Sequence, residues 1–570
     1  MIGATRSRAV LTDLTDRRVE ILAWVGILLV AAFLRLGDLS VRGTWDADQG
    51  HDMLVLRALV LDGRIPLLGP PTSIGDFHHG MLYYLLLAPA ALVSHGDPVA
   101  VTTWIALGGV LAVAVTGWLA RSIAGPLAGG LAGLLLAVSA SGVEESIFIW
   151  NPNLVALSSS IALAAAWRAW RTRRVRWWVV AGGAAVVTMQ CHVLGVILSP
   201  VIGGLLVADV RRRRARGDGA GAAAVGRAAL GWLGIALLSY VPLAIHEIGN
   251  DASELRAAIA FVTGGGGPAS VALPARLPIV GLRVLGWPLT GLLTTAPIAT
   301  ILAACLVVGL AVWRGWHGRA ASTRVGTSDP DISTAETAPG DDTERTAVRW
   351  LALGLAWTII ALAVGASSLA TVVAGLPNDH YHAFADPMVV ALVAVGLAGL
   401  IWRRPSAIAT GIATTAPIAA GIAVVVALVG WNLATQPPSR APDGGWDAAR
   451  TAAGRVLALG GDGPLVLSSL PTFKSDEAVR MPLEAAGGDV MPAGVNGAAF
   501  GGPQATLVIL CDQLFREAVG ADCGGPAEDA WLLDPRSGLA ASAPSGRVAA
   551  LMTRFEAAPG RWISVYRASP

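Results

Sequence analysis

Long apolar stretches recur along this chain, and the arginines between them cluster on alternate connections only. A membrane-spanning helix needs roughly 20 apolar residues, and cytoplasmic connections gather Arg and Lys. The Arg clusters are Arg6 to Arg18, Arg121, Arg168 to Arg176, Arg211 to Arg216, Arg314 to Arg349, and Arg403 with Arg404. Acidic and His-containing connections alternate with them, at Asp38 to Asp97, Glu144 to Asn153, Glu247 to Glu254 and Asp379 to Asp386. Only 14% of residues are charged and 54% are hydrophobic. Soluble domains carry about 25% charged residues, so this chain belongs in lipid. The net charge of +2 marks no nucleic-acid partner.

Taking the first apolar helix (about 20–36) from inside to outside raises a parity question at 80–94. If that segment spans, the Arg-rich connection at 168–176 falls outside. If it does not, every Arg cluster falls inside. The segment is short, opens Gly80-Met81-Leu82-Tyr83-Tyr84 and contains Pro89, so it reads as an interfacial helix in a first outer loop, 37–98. Further spans are expected at about 99–120, 125–143, 153–168, 177–191, 193–209, 228–246, 289–313, 350–373, 387–402 and 407–430. With the first, that makes about eleven, and an odd number puts the C-terminus outside. Residues 1–19 read as a cytoplasmic segment with no signal-peptide cleavage site, 314–349 as a flexible cytoplasmic loop, and 255–288 as an outer loop with one surface helix. The expected fold class is mainly α: a polytopic membrane domain over 20–430, followed by an extracytoplasmic α/β domain over 431–570.

In that last domain Pro464 to Ser469, Ala505 to Leu510 and Trp562 to Tyr566 read as strands. Trp446 to Leu459 and Gly546 to Phe555 read as helices. Cys511 and Cys523 would pair in an oxidising compartment; two free thiols are the alternative.

The outer connections hold the polar chemistry. Trp45-Asp46-Ala47-Asp48-Gln49-Gly50-His51-Asp52 places three carboxylates and an imidazole just beyond the first span. The acids follow in part from positive-inside sorting, but a carboxylate held near hydrocarbon has a raised pKa and suits a general base. Paired acids could instead hold a divalent cation, though no cofactor is indicated. His78 and His79 precede Tyr83 and Tyr84, offering phosphate donors and an aromatic platform. Glu145 and Asn151 lie in the second outer loop, where Asn151-Pro152-Asn153 could equally cap a helix. His192 sits between two tightly connected spans, and His380 and His382 precede the penultimate span. These elements converge on one face.

With these motifs in order, the sequence resembles the C-type membrane glycosyltransferases, the group of protein O-mannosyltransferases and lipid A aminoarabinose transferases. The resemblance covers about 20–250, more faintly 350–400, and not the C-terminal domain. Asp48-Gln49-Gly50-His51-Asp52, running into Leu56-Arg57-Ala58, is similar to the family's acidic first-loop motif, with Gln49 in place of the second acid. His79-Gly80-Met81-Leu82-Tyr83-Tyr84 is similar to the start of its interfacial helix, with His79 in the basic position. The resemblance implies inverting transfer of a sugar from a polyprenyl-phosphate donor to a glycan, lipid or protein hydroxyl. Asp48, or Asp46, would be the base; His79, Arg57 or Arg64 would meet the leaving phosphate. A transporter or flippase of a lipid-linked glycan, or a non-catalytic envelope scaffold, is the alternative reading.

Overall fold

The computed structural model describes residues 2–72, 77–264, 271–317, 341–366, 369, 379–402, 412–460, 463–471, 476–492, 505–537 and 550–567. Gly75, Asp76, Asn378, Arg403, Arg404 and most of the Ser/Thr-rich stretch expected as a loop lie outside them. The chain runs through α1 (Ile2–Leu36), α2 (Leu39–Arg42), α3 (Ala47–Leu61), α4 (Leu82–Ser94), α5 (Pro98–Ala124), α6 (Pro126–Val138), α7 (Ala140–Glu144), α8 (Val155–Thr172) and α9 (Arg176–Cys191). There follow α10 (Leu198–Ala215), α11 (Gly219–Ser239), α12 (Val241–Gly249), α13 (Ser253–Thr263), α14 (Leu273–Thr290), α15 (Pro297–Val312), α16 (Asp341–Gly365), α17 (Asp386–Ile401) and α18 (Ile412–Ala434). Among the described residues, eight helices are long and apolar enough to cross a membrane.

Side-chain bonds sort the helix ends onto two faces. On one, Arg121 pairs with Glu20, Arg171 donates to the Ser122 carbonyl (2.6 Å), and Arg213 bonds Asp209 (3.1 Å) and the Arg173 carbonyl (2.7 Å). Arg314 pairs with Glu344 on the α15–α16 side. On the opposite face Arg35 donates to the carbonyls of Leu136 and Ala137, capping the C-terminus of α6. Asn432 ties the ends of α18, α14 and α7 together, accepting from Ala140 N and donating to the Leu289 carbonyl. The shorter helices α6, α8 and α9 run between the same two faces, which accounts for spans expected from the sequence beyond the eight. In lipid every backbone group must be satisfied internally, so such caps hold the helix ends.

α1 ends and α5 begins on the same, arginine-poor face, where Leu39, Pro98 and Val99 line one cleft. Residues 37–97 therefore leave and return on one side. α4, which lies between them, does not cross; Trp104 of α5 donates to its Leu86 carbonyl at 3.0 Å. Asp97 caps α5 by accepting from Ala100 N, and Pro98 occupies the first helical position. Gly125, at φ 87°, makes the turn into α6. α17 is apolar all round and is the central span: 83% of its window is buried, against 11% for the first.

Three expectations about the membrane part are corrected. The stretch 255–288 is not an outer loop with one surface helix: α13 and α14 occupy it, and α14 is buried from Arg283 to Thr290. The span expected at 289–313 begins at Pro297, after a turn that follows Thr290. The loop expected over 314–349 is helical at both described ends, Trp313–His317 and from Asp341.

The C-terminal domain comprises α19 (Gly445–Gly460), β1 (Leu465–Leu470), α20 (Glu477–Ala485), β2 (Val490–Pro492), β3 (Thr506–Asp512), α21 (Arg516–Val519), α22 (Pro526–Leu533), β4 (Ala550–Ala558) and β5 (Arg561–Arg567). The sheet order is β2-β1-β3-β5-β4, parallel on the β2-β1-β3 side and antiparallel beyond. Val456, Leu467, Leu483, Val508 and Ile563 form one core with α19 and α20, while Val466, Ile509, Trp531 and Tyr566 form another with α22. Of the helix expected over Gly546 to Phe555, residues 546–549 lie outside the described ones, and from Ala550 the chain is instead strand β4, a hairpin partner of β5. Cys511 and Cys523 are disulfide-bonded, with Cα atoms 5.6 Å apart.

Candidate active site

The acidic segment of the first loop folds as α3, and its side chains have separate fates. Asp46 sits at the N-cap, where its backbone N–H donates to Gln49 Oε1 at 2.8 Å. Its carboxylate accepts from Arg561 of β5 at 2.9 Å. Gln49, standing where the resemblance expects an acid, also donates to the Ile149 carbonyl at 2.9 Å. A carboxylate could not make that bond. Asp48, in the first turn, is exposed.

Three residues on, His51 Nδ1 meets Glu477 of α20 at 3.0 Å. Burial opposes the imidazolium, but the bond and charge of Glu477, with Asp52 and Asp48 nearby, raise its pKa. Asp52 is buried and accepts from the Tyr83 hydroxyl at 2.8 Å and the Tyr84 hydroxyl at 2.9 Å. Burial pushes this carboxyl up to about 7. The tyrosine pair thus fastens α4 to α3; both rings are enclosed and present no open platform.

The two histidines of the first loop part company. His78 takes Glu254 of α13 through its backbone N–H (2.6 Å) and Nδ1 (2.9 Å). His79 turns inward, where its Nδ1 accepts from Val193 N at 3.2 Å. Burial, helped by His78, lowers its pKa to about 3, so the ring is neutral with its proton on Nε2. His192 is alike: Nδ1 accepts from Leu194 N at 3.3 Å, and burial holds it neutral. A ladder of rings continues from His79 to His192 (5.0 Å between centroids), Tyr381 (4.9 Å), His380 (4.0 Å) and Trp150 (4.0 Å). Asn151 joins it by donating to the Cys191 carbonyl at 2.6 Å. His382 bonds Asp379, which also receives Arg283 through Nε (2.9 Å) and Nη2 (2.7 Å). Glu145 is buried on the same side; burial first, then Asp386, Glu144 and Asp379, keeps its pKa high.

So the structure brings together His79, His192, His380, His382, Asn151 and Glu145, with Asp48 and Asp52 on the neighbouring helix. Arg57 lies half-exposed against Gly96, and Arg64 is exposed and paired with Asp62. Neither is drawn into the ladder. Sequence reasoning missed Glu254, Arg283, Glu477 and Arg561. Arg283 alone carried a signal, as a charge flanked by apolar residues. Among the described residues no group of three His, Cys, Asp or Glu side chains is arranged to hold a metal ion.

By sequence, no family model and no curated protein matches the chain. By structure it is similar to ArnT from Cupriavidus metallidurans bound to undecaprenyl phosphate: TM-score 0.54, 12% identity, 96% of this chain and 97% of that chain covered. The apo state of the same protein matches with a TM-score of 0.52 and 13% identity, over 97% and 98% of the two chains. The match takes in the C-terminal domain, which the sequence motifs had left outside the resemblance. From its first apolar helix to its C-terminal sheet, the chain shares the fold of that protein.

Proposed function

We propose that this protein transfers a sugar from a polyprenyl-phosphate donor to an acceptor hydroxyl at the outer face of a cell membrane, with inversion. The observation that carries the reading is an exposed carboxylate, Asp48, on α3, the helix whose Gln49 bonds the Ile149 carbonyl next to the ring ladder at Trp150, within a fold shared with a protein that binds undecaprenyl phosphate. Asp48 takes the proton of the acceptor hydroxyl as its oxygen attacks the anomeric carbon. The bond from that carbon to the phosphate oxygen breaks, and the lipid phosphate leaves with the electron pair. His79 and His192, each with its proton on Nε2, are donors for the leaving oxygens, and Arg57 adds positive charge at the loop. Asp46 is committed to capping and to Arg561, so the base is assigned to Asp48. The arginine-rich face is then cytoplasmic, and the C-terminal domain lies outside.

The test is transfer of radiolabelled sugar from a panel of polyprenyl-phosphate donors by membranes carrying wild-type or Asp48→Asn protein at equal expression. The reading expects transfer by the wild type and its loss in the variant. Undiminished transfer by Asp48→Asn would remove that residue from the mechanism.

A further inference from the structure

Helix α3 lies between α2 and α4 and is not among the helices long and apolar enough to cross a membrane, so its orientation is set by what it packs against. Two supports come from the membrane part: Tyr83 and Tyr84 hold Asp52, and the Ile149 carbonyl holds Gln49. The others come from the C-terminal domain. Asp443 accepts from Thr44 Oγ1 at 2.6 Å and from Trp45 N at 2.8 Å. The Trp45 indole donates to the Ala478 carbonyl at 2.8 Å and packs on Trp446 with centroids 4.6 Å apart. Arg561 bridges the helix start, Nη1 to the Trp45 carbonyl at 2.8 Å and Nη2 to Asp46 at 2.9 Å. Glu477 meets His51 one turn further on. Between those last two anchors α20 comes so close that a Cβ on Gly50 would lie 2.2 Å from the Glu477 carbonyl oxygen. Asp48 lies between the Arg561 and Glu477 anchors.

Resting on the transferase reading, we propose that Arg561 and Glu477 are positioning residues. The C-terminal domain fixes the tilt and rotation of α3 so that Asp48 faces the acceptor and donor. Neither side chain touches substrate; Arg561 acts through Asp46 and Trp45, and Glu477 through His51. An error of about 1 Å at a reacting group costs on the order of 100-fold in rate, so a polar grip made from a second domain has a direct catalytic consequence.

The experiment uses full-length protein in lipid nanodiscs and two readouts. Initial rates are measured for Arg561→Ala, Asp46→Ala, their double variant, Glu477→Ala and Glu477→Gln, with the donor that the wild type uses. Positioning predicts that kcat falls about 10- to 100-fold in Arg561→Ala and in Asp46→Ala, with donor KM changed less than about 2-fold. The double variant is no worse than the poorer single one, because both break the same contact. Glu477→Gln, which keeps a hydrogen bond to His51, recovers most of what Glu477→Ala loses. Amide exchange over residues 47–61 is the second readout; it rises in Arg561→Ala and Glu477→Ala while α14 stays protected. Multiplying effects in the double variant, unchanged kcat, or unchanged exchange in α3 would each overturn the proposal. If the wild type transfers no sugar, the transferase reading fails and the positioning role with it, while the exchange result still decides whether the domain grips α3.

Discussion

Asp52 offers a sharp test of the site's electrostatics. Its side chain is 2% exposed and lies between two phenol hydroxyls. Burial raises its pKa to about 7, although both hydrogen bonds and His51 pull the other way. The folded pKa lies above the unfolded one, so the folded state holds this proton through the window from about 4 up to about 7. The stability tied to it is fully present below about 4 and is lost as pH rises to about 7. Three pH units at about 1.4 kcal/mol each make about 4 kcal/mol, of which about 3 falls between pH 5 and pH 8. Asp52→Asn cannot ionise, yet its amide oxygen accepts from one phenol and its NH2 donates to the other. The variant should therefore gain on the wild type as pH rises. The assay is thermal unfolding of full-length protein in detergent, followed by tryptophan fluorescence at one scan rate from pH 5 to 8.5. The difference in Tm should grow in favour of the variant up to about pH 7 and then level off. A difference that stays constant across that range would refute the claim that Asp52 is held protonated by its surroundings.

Further outcomes follow from the packing and the topology. Arg283→Ala leaves Asp379 buried without its guanidinium, which costs about 3–5 kcal/mol; yield and Tm should collapse, and Arg283→Lys should recover little because the two-pronged geometry is lost. Gly50→Ala drives a methyl group into the Glu477 carbonyl, with a cost of about 1–3 kcal/mol and faster proteolysis of the C-terminal domain. Gly26→Ala, with nothing within 4 Å of the added carbon, should match the wild type. In a background lacking Cys305, an impermeant thiol reagent should label Arg440→Cys in intact cells, and Pro330→Cys only after permeabilisation.

The membrane plan was legible because lipid leaves few options. Apolar length and arginine alternation already place residues 37–97 on one side, and α1 and α5 meet there. The segment α14 was not legible: it holds Pro278 and Pro288 inside the helix, and the partner that makes sense of Arg283 is Asp379, far along the chain. Strand β4 was misread because it opens Ala550-Leu551-Met552, all good helix formers, and pairing with β5 overrides that preference. At the candidate site, the convergence of His79, His192 and His380 could be expected from topology. The division of labour within Asp46-Ala47-Asp48-Gln49-Gly50-His51-Asp52 could not be, since it is set by Arg561, Glu477 and two tyrosines from other elements. A short motif shows which groups are present, and distant partners decide which of them stays open to substrate.

The most direct test of the transferase account follows the donor itself. Purified full-length protein is incubated with a lipid extract containing polyprenyl-phosphate sugars and an acceptor-rich envelope fraction, and the release of free polyprenyl phosphate is read by mass spectrometry. The account predicts that one sugar-lipid species is consumed, with stoichiometric release of its lipid phosphate, by the wild type and not by Asp48→Asn. If the wild type consumes none of these species, or Asp48→Asn consumes them equally, the assignment of this fold and this carboxylate to sugar transfer is contradicted.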